Sequence, residues 1–468
     1  MRREITEYNY DWMLDRIVNA ASKAADGTPK ELANLLRYIP YFNKPLGTIL
    51  DEGETGSTFL KMMAAFFENI MTAHEKGKKI AATTFCFSPA ILYAVGAVPV
   101  TFEILSALAG MVWKRGGFDY LDYGCETGLT ETSCSAQRGA LGAYLAGLCE
   151  EIDFLVCDTP GVCDTNANAF SFTASFLEKP VYHLNFPQKL NDERTSQYQV
   201  DDYREMIKYL EEQTGNKINY DRLREVLKEV EKQDAITGDI EDMQMMVPCP
   251  VPPIYNMFIY AGRFICSGMP EYTRALESMR DTVRKNVEMG LPGLRSGKEK
   301  RRLYLCYIDH YTVDMNFWNW LDDHGISHMG SILSKTFHQD APYTQAKGLE
   351  GSSYVINTDS PESMMISIAQ LNARLPMVRS IRGPYDQPNM WLEESLAIAR
   401  TFQADCIIYN GTPGCRNTWG MVKPFARDME RNGFPTHILY DDAFDDRVES
   451  WEATKERLEE FFTVRGLL

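Results

Sequence analysis

The sequence contains no apolar run long enough to cross a lipid bilayer. A transmembrane helix needs about 18 or more consecutive apolar residues, and no such run occurs among the 468 residues. The first residues, MRREITEY, also lack the apolar core of a secretory signal peptide. We therefore expect a cytoplasmic protein that has no membrane partner.

Positive charge is in deficit as well. Lys and Arg together number 48 against 65 Asp and Glu, which gives a formal net charge of −17. Proteins that bind nucleic acid need a basic surface to neutralise phosphates, so this composition argues against a nucleic-acid partner. A nucleotide-like ligand such as coenzyme A needs only a few local Lys or Arg side chains and is not excluded.

Cysteine is sparse, and the 11 cysteines form an odd count in a long chain. This number does not suit a disulfide-stapled scaffold, and in a reducing compartment cysteines are buried hydrophobes, metal ligands or catalysts. The sequence also lacks repeats of solenoid period. It has no Gly-x-x-x-x-Gly-Lys-Ser/Thr loop, so ATP hydrolysis is not expected in this chain.

Short apolar runs alternate with amphipathic segments, which predicts parallel sheets covered by helices. Residues 81–100 predict a strand, a turn, a helix and a second strand. In this stretch Ser88 is the predicted N-cap, Pro89 the first helical residue and Gly96 the helix end. Further strands are predicted at residues 154–157, 181–185, 303–308, 326–330, 406–409 and 436–440.

The length of the chain predicts more than one hydrophobic core. We expect an N-terminal helical region (1–79), a first α/β unit (80–198), a helical connecting segment (199–300) and a second α/β unit (301–468). The predicted fold class is therefore α/β, with two parallel-sheet units of the Rossmann or flavodoxin-like kind. In such sheets ligands bind at the carboxyl ends of the strands.

Three cysteines, Cys134, Cys163 and Cys415, lie in predicted loops with the contexts ETSCSAQR, PGVCDTN and GTPGCRN. Small, turn-forming neighbours let the backbone approach a bulky ligand closely. Cys163 and Cys415 each follow a predicted parallel strand, where such folds place their chemistry. Their intervals match neither zinc ribbons nor ferredoxin runs, so the pattern leaves cluster ligands and buried loop residues both open.

Over roughly residues 80 to 465 the sequence resembles the 2-hydroxyacyl-CoA dehydratase and benzoyl-CoA reductase family of cluster-binding subunits. The resemblance depends on the order and spacing of several motifs rather than on one. These are CSAQRGALG from Cys134, CDTN from Cys163, ADCIIYNGTPGC ending at Cys415, DDAFDDR from Asp441 and FSPAILYAVGAVP from Phe87.

The resemblance implies a [4Fe–4S] cluster held by Cys134, Cys163 and Cys415, with one iron left open. It implies an oxygen-sensitive subunit that removes water from a (R)-2-hydroxyacyl-CoA by one-electron, ketyl-radical chemistry. A related second subunit or a homodimer is implied too, as is a separate ATP-hydrolysing iron–sulfur activator. The missing ATP-binding loop agrees with an activator on another chain.

Other cysteines compete for these ligand positions. Cys157 precedes Cys163 in a near repeat, and Cys163 is preferred because the Asp-Thr after it leads into a helix. Cys125 is a second loop candidate near Cys134. The cysteines predicted to lie in strands or helices as core residues are Cys86, Cys149, Cys306 and Cys406.

Several polar residues are candidates for substrate contact. Ser88 either hydrogen-bonds a substrate oxygen or caps its helix, and Thr83 and Thr84 are equally open. Arg138 pairs either with a cluster sulfide or phosphate, or with a surface carboxylate. Glu103 is a base candidate by its position after a strand. Three further residues predicted to face the same cleft are Asp309, His310 and Arg382.

Other functions fit the same motifs. A benzoyl-CoA reductase-type subunit would use similar clusters but consume its electrons. A homodimeric reductase of small molecules would join two clusters into a double cubane. A non-enzymatic subunit would only store electrons, and without a cluster the chain would be a two-domain α/β binding protein. The sequence does not reveal the acyl group.

Overall fold

The computed structural model describes residues 43–112, 114–147, 149–159, 162–186, 193–307, 315–336, 341–345, 353–379, 390–411, 414–415, 419–445 and 447–468. These residues form two compact units. The first takes the described residues up to Gln233 together with Gly262–Ser278 and Val355–Ala373, and the second takes Asp234–Ala261, Met279–Tyr354 and Arg374–Leu468.

The first unit contains a sheet of four parallel strands in the order β2-β1-β3-β4. The strands are β1 (Ile80–Thr83), β2 (Val98–Thr101), β3 (Phe154–Asp158) and β4 (Val181–Leu184). Every residue of β1, β2 and β3 is buried, as expected for a parallel sheet with helices on its faces. The order of strands reverses between β1 and β3, which makes their carboxyl ends the topological switch point.

The second unit repeats this arrangement. Its strands are β5 (Arg301–Tyr307), β6 (Ile326–Ser331), β7 (Cys406–Gly411) and β8 (Thr436–Tyr440), which are all parallel and lie in the order β6-β5-β7-β8. Its switch point therefore lies between β5 and β7. The prediction of two parallel-sheet α/β units is confirmed, whereas the segment boundaries stay a prediction.

Helices make up most of the remaining described chain. None of those within the described ranges is long and apolar enough to span a membrane. The α-helices are Asn43–Leu50, Glu54–Met71, Ala90–Ala94, Glu103–Val112, Lys114–Glu126, Ser135–Leu145, Asp164–Leu177, Glu193–Thr214, Tyr220–Gln244, Tyr255–Cys266, Pro270–Met289, Asn316–His324, Pro361–Ala373, Met390–Thr401, Val422–Arg431 and Trp451–Val464, and a short 3₁₀ helix is Pro342–Gln345.

Two glycines let the helices Lys114–Glu126 and Ser135–Leu145 touch backbone to backbone. A Cβ atom on Gly142 would lie 1.9 Å from the carbonyl oxygen of Tyr120, and one on Gly124 would lie 2.2 Å from that of Arg138. Only glycine fits at such a distance. This contact fixes the position of the helix that Cys134 precedes.

The predicted N-cap role of Ser88 is wrong. Helix Ala90–Ala94 is capped by Pro89, without a side-chain hydrogen bond. Ser88 is instead anchored by its backbone N–H, which donates to Asn372 Oδ1 at 2.5 Å. A tertiary contact to a residue far along the chain therefore decides how Ser88 is placed.

Candidate functional site

A buried carboxyl group lies at the switch point of the first sheet. Asp158, the last residue of β3, accepts from Thr84 Oγ1 at 2.8 Å through Oδ1 and from the backbone N–H of Cys163 at 3.1 Å through Oδ2. Thr84 directly follows β1, so this carboxyl joins the ends of the two central strands. It also fixes the loop that carries Cys163.

Two helices that begin at cysteines meet beside this carboxyl. Cys163 caps helix Asp164–Leu177, and its Sγ accepts from the backbone N–H of Asn166 at 3.4 Å. Cys134 is the N-cap residue of helix Ser135–Leu145. Gln137 Nε2 of that helix donates to Asn166 Oδ1 at 2.8 Å. The helix starts that follow Cys134 and Cys163 are therefore neighbours in one unit.

Glu103 is the second buried acid of this site. Its Oε1 accepts from Gln137 Nε2 at 3.0 Å and from the backbone N–H of Phe85 at 3.2 Å, whereas Oε2 has no hydrogen-bond partner among the described residues. Burial raises the pKa of Glu103 to about 8 and that of Asp158 to about 6. At neutral pH Glu103 therefore keeps its proton.

Two hydroxyl groups near the end of β1 are buried without hydrogen bonds to the described residues. They are Ser88 Oγ and Thr83 Oγ1, in residues that are 3% and 0% exposed. A buried polar atom with no partner is costly, and it commonly marks the place of a ligand or a water. Both residues are among the substrate-contact candidates named from the sequence.

Cys415 lies at the corresponding edge of the second sheet. It follows β7 and is half-buried. Its Sγ is 3.5 Å from the hydroxyl of Tyr307, the last residue of β5. Tyr307 has a positive φ of 81°, and its ring stacks on Trp391 with the centroids 5.9 Å apart. Cys163 and Cys415 thus each follow the third strand of a sheet, and the two sheets have the same strand order.

The family of the chain follows from a comparison with protein-family models. The model of the 2-hydroxyglutaryl-CoA dehydratase D-component matches residues 84–464, well over half of the chain. The chain belongs to this family. It is therefore an enzyme subunit of the 2-hydroxyacyl-CoA dehydratase type. A comparison with curated proteins finds no match.

In this dehydratase-family chain the position of Cys157 differs from that of Cys163. Cys157 lies within β3, and its Sγ is 3.2 Å from Nδ1 of His183 on β4. Burial raises the pKa of the Cys157 thiol well above its usual value. Side chains alternate along a strand, so Cys157 points away from the face on which Asp158 meets Thr84. The two cysteines therefore have different surroundings, and the choice of Cys163 as a ligand stays a prediction.

Cys125 is not in a loop, contrary to the prediction. It lies in helix Lys114–Glu126, which continues to this point because Gly124 lets it pack against helix Ser135–Leu145. Arg138 Nη1 donates to Cys125 Sγ at 3.5 Å, and its Nε donates to Ser133 O at 3.2 Å. Arg138 is only 6% exposed, and its pairing with a cluster sulfide, a phosphate or a carboxylate stays a prediction.

The remaining cysteines named from the sequence are core residues, as predicted. All four are buried, but only two lie in strands, and the other two lie outside helices and strands because the neighbouring elements end earlier than predicted. The strand residues are Cys306 and Cys406, Cys86 lies in a turn, and Cys149 lies in a bend.

The three cysteines predicted to hold a cluster are divided between the two units. Within the described ranges, no three His, Cys, Asp or Glu side chains are grouped so that they could hold a metal ion. Cys134 and Cys163 belong to the first unit and Cys415 to the second, so the three-cysteine site stays a prediction. Three other candidates, Asp309, His310 and Arg382, lie outside the described residues.

Sequence reasoning missed Asp158, Gln137 and Asn166. A signal for the two amides is present, because Cys134-Ser-Ala-Gln137 and Cys163-Asp-Thr-Asn166 both place an amide three residues after the cysteine. Asp158 had no comparable signal. It is the last residue of a buried strand, and its role appears only through its contacts.

Proposed function

We propose that the chain is the [4Fe–4S] subunit of an oxygen-sensitive enzyme that removes water from a (R)-2-hydroxyacyl-CoA. The observation that supports this most is the matched placement of Cys163 and Cys415. Each follows the third strand of a parallel sheet, at the switch point where such folds bind ligands. Cys134 adds the third thiol, at a helix start next to that of Cys163.

The surroundings of these cysteines suit a cluster. A thiolate-ligated iron–sulfur cluster is anionic, and hydrogen bonds to its sulfurs tune it. Cys163 Sγ receives a backbone N–H bond, Cys415 Sγ lies against a tyrosine hydroxyl, and Cys134 and Cys163 both precede helices, whose N-termini carry partial positive charge. Three thiolates leave one of the four irons without a protein ligand.

The bound cluster would supply an open iron that polarises the substrate's thioester carbonyl and one electron that returns to the cluster in each turnover. Loss of the hydroxyl from the reduced thioester would make the β-proton far more acidic. The chain's own residues would do the rest. Ser88 Oγ and Thr83 Oγ1 would hydrogen-bond substrate oxygens. The proton that Glu103 keeps at neutral pH would go to the departing hydroxyl from Oε2, and the resulting carboxylate would then take the β-proton.

The partners we propose are an acyl-CoA substrate, a related second subunit or a second copy of this chain, and an ATP-dependent iron–sulfur activator. The activator is needed because this sequence has no loop for ATP phosphates. A localisation in the cytoplasm would suit an oxygen-sensitive centre.

The proposal is tested by following (R)-2-hydroxyglutaryl-CoA under anaerobic conditions, with the activator, ATP and titanium(III) citrate. Many molecules of water should be lost per electron supplied. Ser88→Ala should slow the reaction without loss of iron. Electrons consumed in proportion to product would instead identify a reductase of the benzoyl-CoA type. No reaction of an iron-loaded complex with this substrate or with a series of other (R)-2-hydroxyacyl-CoA substrates would contradict dehydration.

A further inference from the structure

The two amides that follow the cysteines bind each other. We propose that the Gln137–Asn166 hydrogen bond, anchored to Asp158, sets the spacing between Cys134 and Cys163, which makes Gln137 and Asn166 positioning residues for the cluster. This inference rests on the proposed function for its purpose, but its geometry is independent of it.

Asn166 is the centre of the arrangement. Its backbone N–H donates to Cys163 Sγ at 3.4 Å, and its Oδ1 accepts from Gln137 Nε2 at 2.8 Å. Its Nδ2 donates to Asp158 Oδ1 at 3.3 Å and lies 3.7 Å from Cys86 Sγ. One buried residue therefore contacts a proposed ligand, the neighbouring helix and the end of β3.

Gln137 extends this arrangement to a third helix. The same Nε2 group that donates to Asn166 donates to Glu103 Oε1 at 3.0 Å, so both of its hydrogens are used. Glu103 begins helix Glu103–Val112. Because each partner is itself fixed by other hydrogen bonds, a change in the spacing of the two cysteines would break several bonds together.

Asp158 supplies the anchor. Its carboxyl holds the backbone N–H of Cys163 and the side chain of Asn166, and it is held by Thr84. Cys163 and the helix after it are thus attached to one strand end. Helix Ser135–Leu145, which follows Cys134, is attached to the same point through Gln137.

The test compares Gln137→Ala, Asn166→Ala, the double variant and Asn168→Ala. Asn168 lies on the same helix as Asn166 but is exposed, so it is a matched control. In the anaerobically loaded protein, the loss of iron to a chelator should be at least about tenfold faster in each single variant, since the shared buried hydrogen bond and at least one other are broken. The effect in the double variant should be smaller than the sum of the single effects, because both changes remove the shared bond. Asn168→Ala should match the wild type.

A second measurement needs no cluster. In iron-free protein, a short reagent that joins two thiols should link Cys134 to Cys163, as mapped by mass spectrometry. The yield of this linkage should fall several-fold in the Gln137 and Asn166 variants and stay constant in the Asn168 control. If the alanine variants do not fold, Gln137→Met, which keeps the length and approximate volume of the side chain but loses the Nε2 donor, should change both measurements in the direction expected for Gln137→Ala.

The outcomes separate the two hypotheses. Equal iron loss and equal linkage in all variants would overturn the positioning roles and leave the proposed function intact. A wild-type protein that never holds iron would overturn the proposed function, while the linkage measurement would still decide whether the amide pair sets the spacing. Strictly additive effects in the double variant would also contradict the inference.

Discussion

Glu103 makes the stability of the first unit depend on pH in a predictable direction. Burial raises the pKa of its carboxyl from the ordinary value of 4.5 to about 8. Between these two values the unfolded chain releases the proton and the folded chain keeps it. The contribution of this group to the free energy of unfolding is therefore full below pH 4.5, falls as the pH rises towards 8, and is constant above that.

The slope for one such group is about 1.4 kcal/mol per pH unit, so the whole range corresponds to something on the order of 5 kcal/mol. Glu103→Gln removes the ionisation. It keeps an oxygen that accepts from the backbone N–H of Phe85 and from Gln137. The difference in unfolding free energy between the variant and the wild type should therefore grow in favour of the variant by roughly 2 to 3 kcal/mol as the pH rises from 5.5 to 7.5.

The measurement is urea unfolding of the iron-free wild type and variant at pH 5.5, 6.5 and 7.5. Groups common to both proteins cancel in the difference between them. Asp158, whose pKa is about 6, contributes mainly at the acidic end of this range, so the interval from pH 6.5 to 7.5 reports on Glu103. Parallel pH profiles for the two proteins would refute the claim that burial holds a proton on this carboxyl.

Three further predictions concern packing, charge and ligand choice. Gly142→Ala should lower the free energy of unfolding, measured with heat or urea, by at least about 2 kcal/mol because its Cβ would collide with the backbone. Gly238→Ala lies in a helix with open space around it and should raise the free energy of unfolding by about 0.5 to 1 kcal/mol. Arg379→Met should lower the free energy of unfolding by about 3 to 5 kcal/mol, because it leaves the buried carboxylate of Glu394 without its ion pair. Adding Glu394→Leu should recover most of this loss in urea unfolding. An equal loss in the single and the double variant would refute the argument. Cys157→Ala should bind as much iron per chain as the wild type in a colorimetric assay. A loss of iron in this variant would instead identify Cys157 as a ligand.

The strands were predictable because short, buried apolar runs are a strong signal. Strand β8 (Thr436–Tyr440) has the bounds expected from the sequence. Helix Asn316–His324 ends where Gly325 adopts a left-handed φ of 73°, a residue type that signals a helix end. Ser88 and Cys125 were placed incorrectly because tertiary contacts override local signals there.

The site was predictable only in part. The positions of Cys163 and Cys415 follow from their place after strands. The hydrogen bonds among Asp158, Asn166 and Gln137 could not be predicted, because they join residues from different helices and strands. Whether the three cysteines share one cluster depends on ligands from two separate units, so it stays a hypothesis.

Iron and acid-labile sulfide per chain, in protein purified without oxygen, test the central claim most directly. We expect about four of each in the wild type, and their loss in Cys134→Ala, Cys163→Ala and Cys415→Ala. About eight irons tied to a homodimer would point to a joined double cubane. Iron near zero after anaerobic handling and reconstitution would contradict the cluster and the dehydratase mechanism with it.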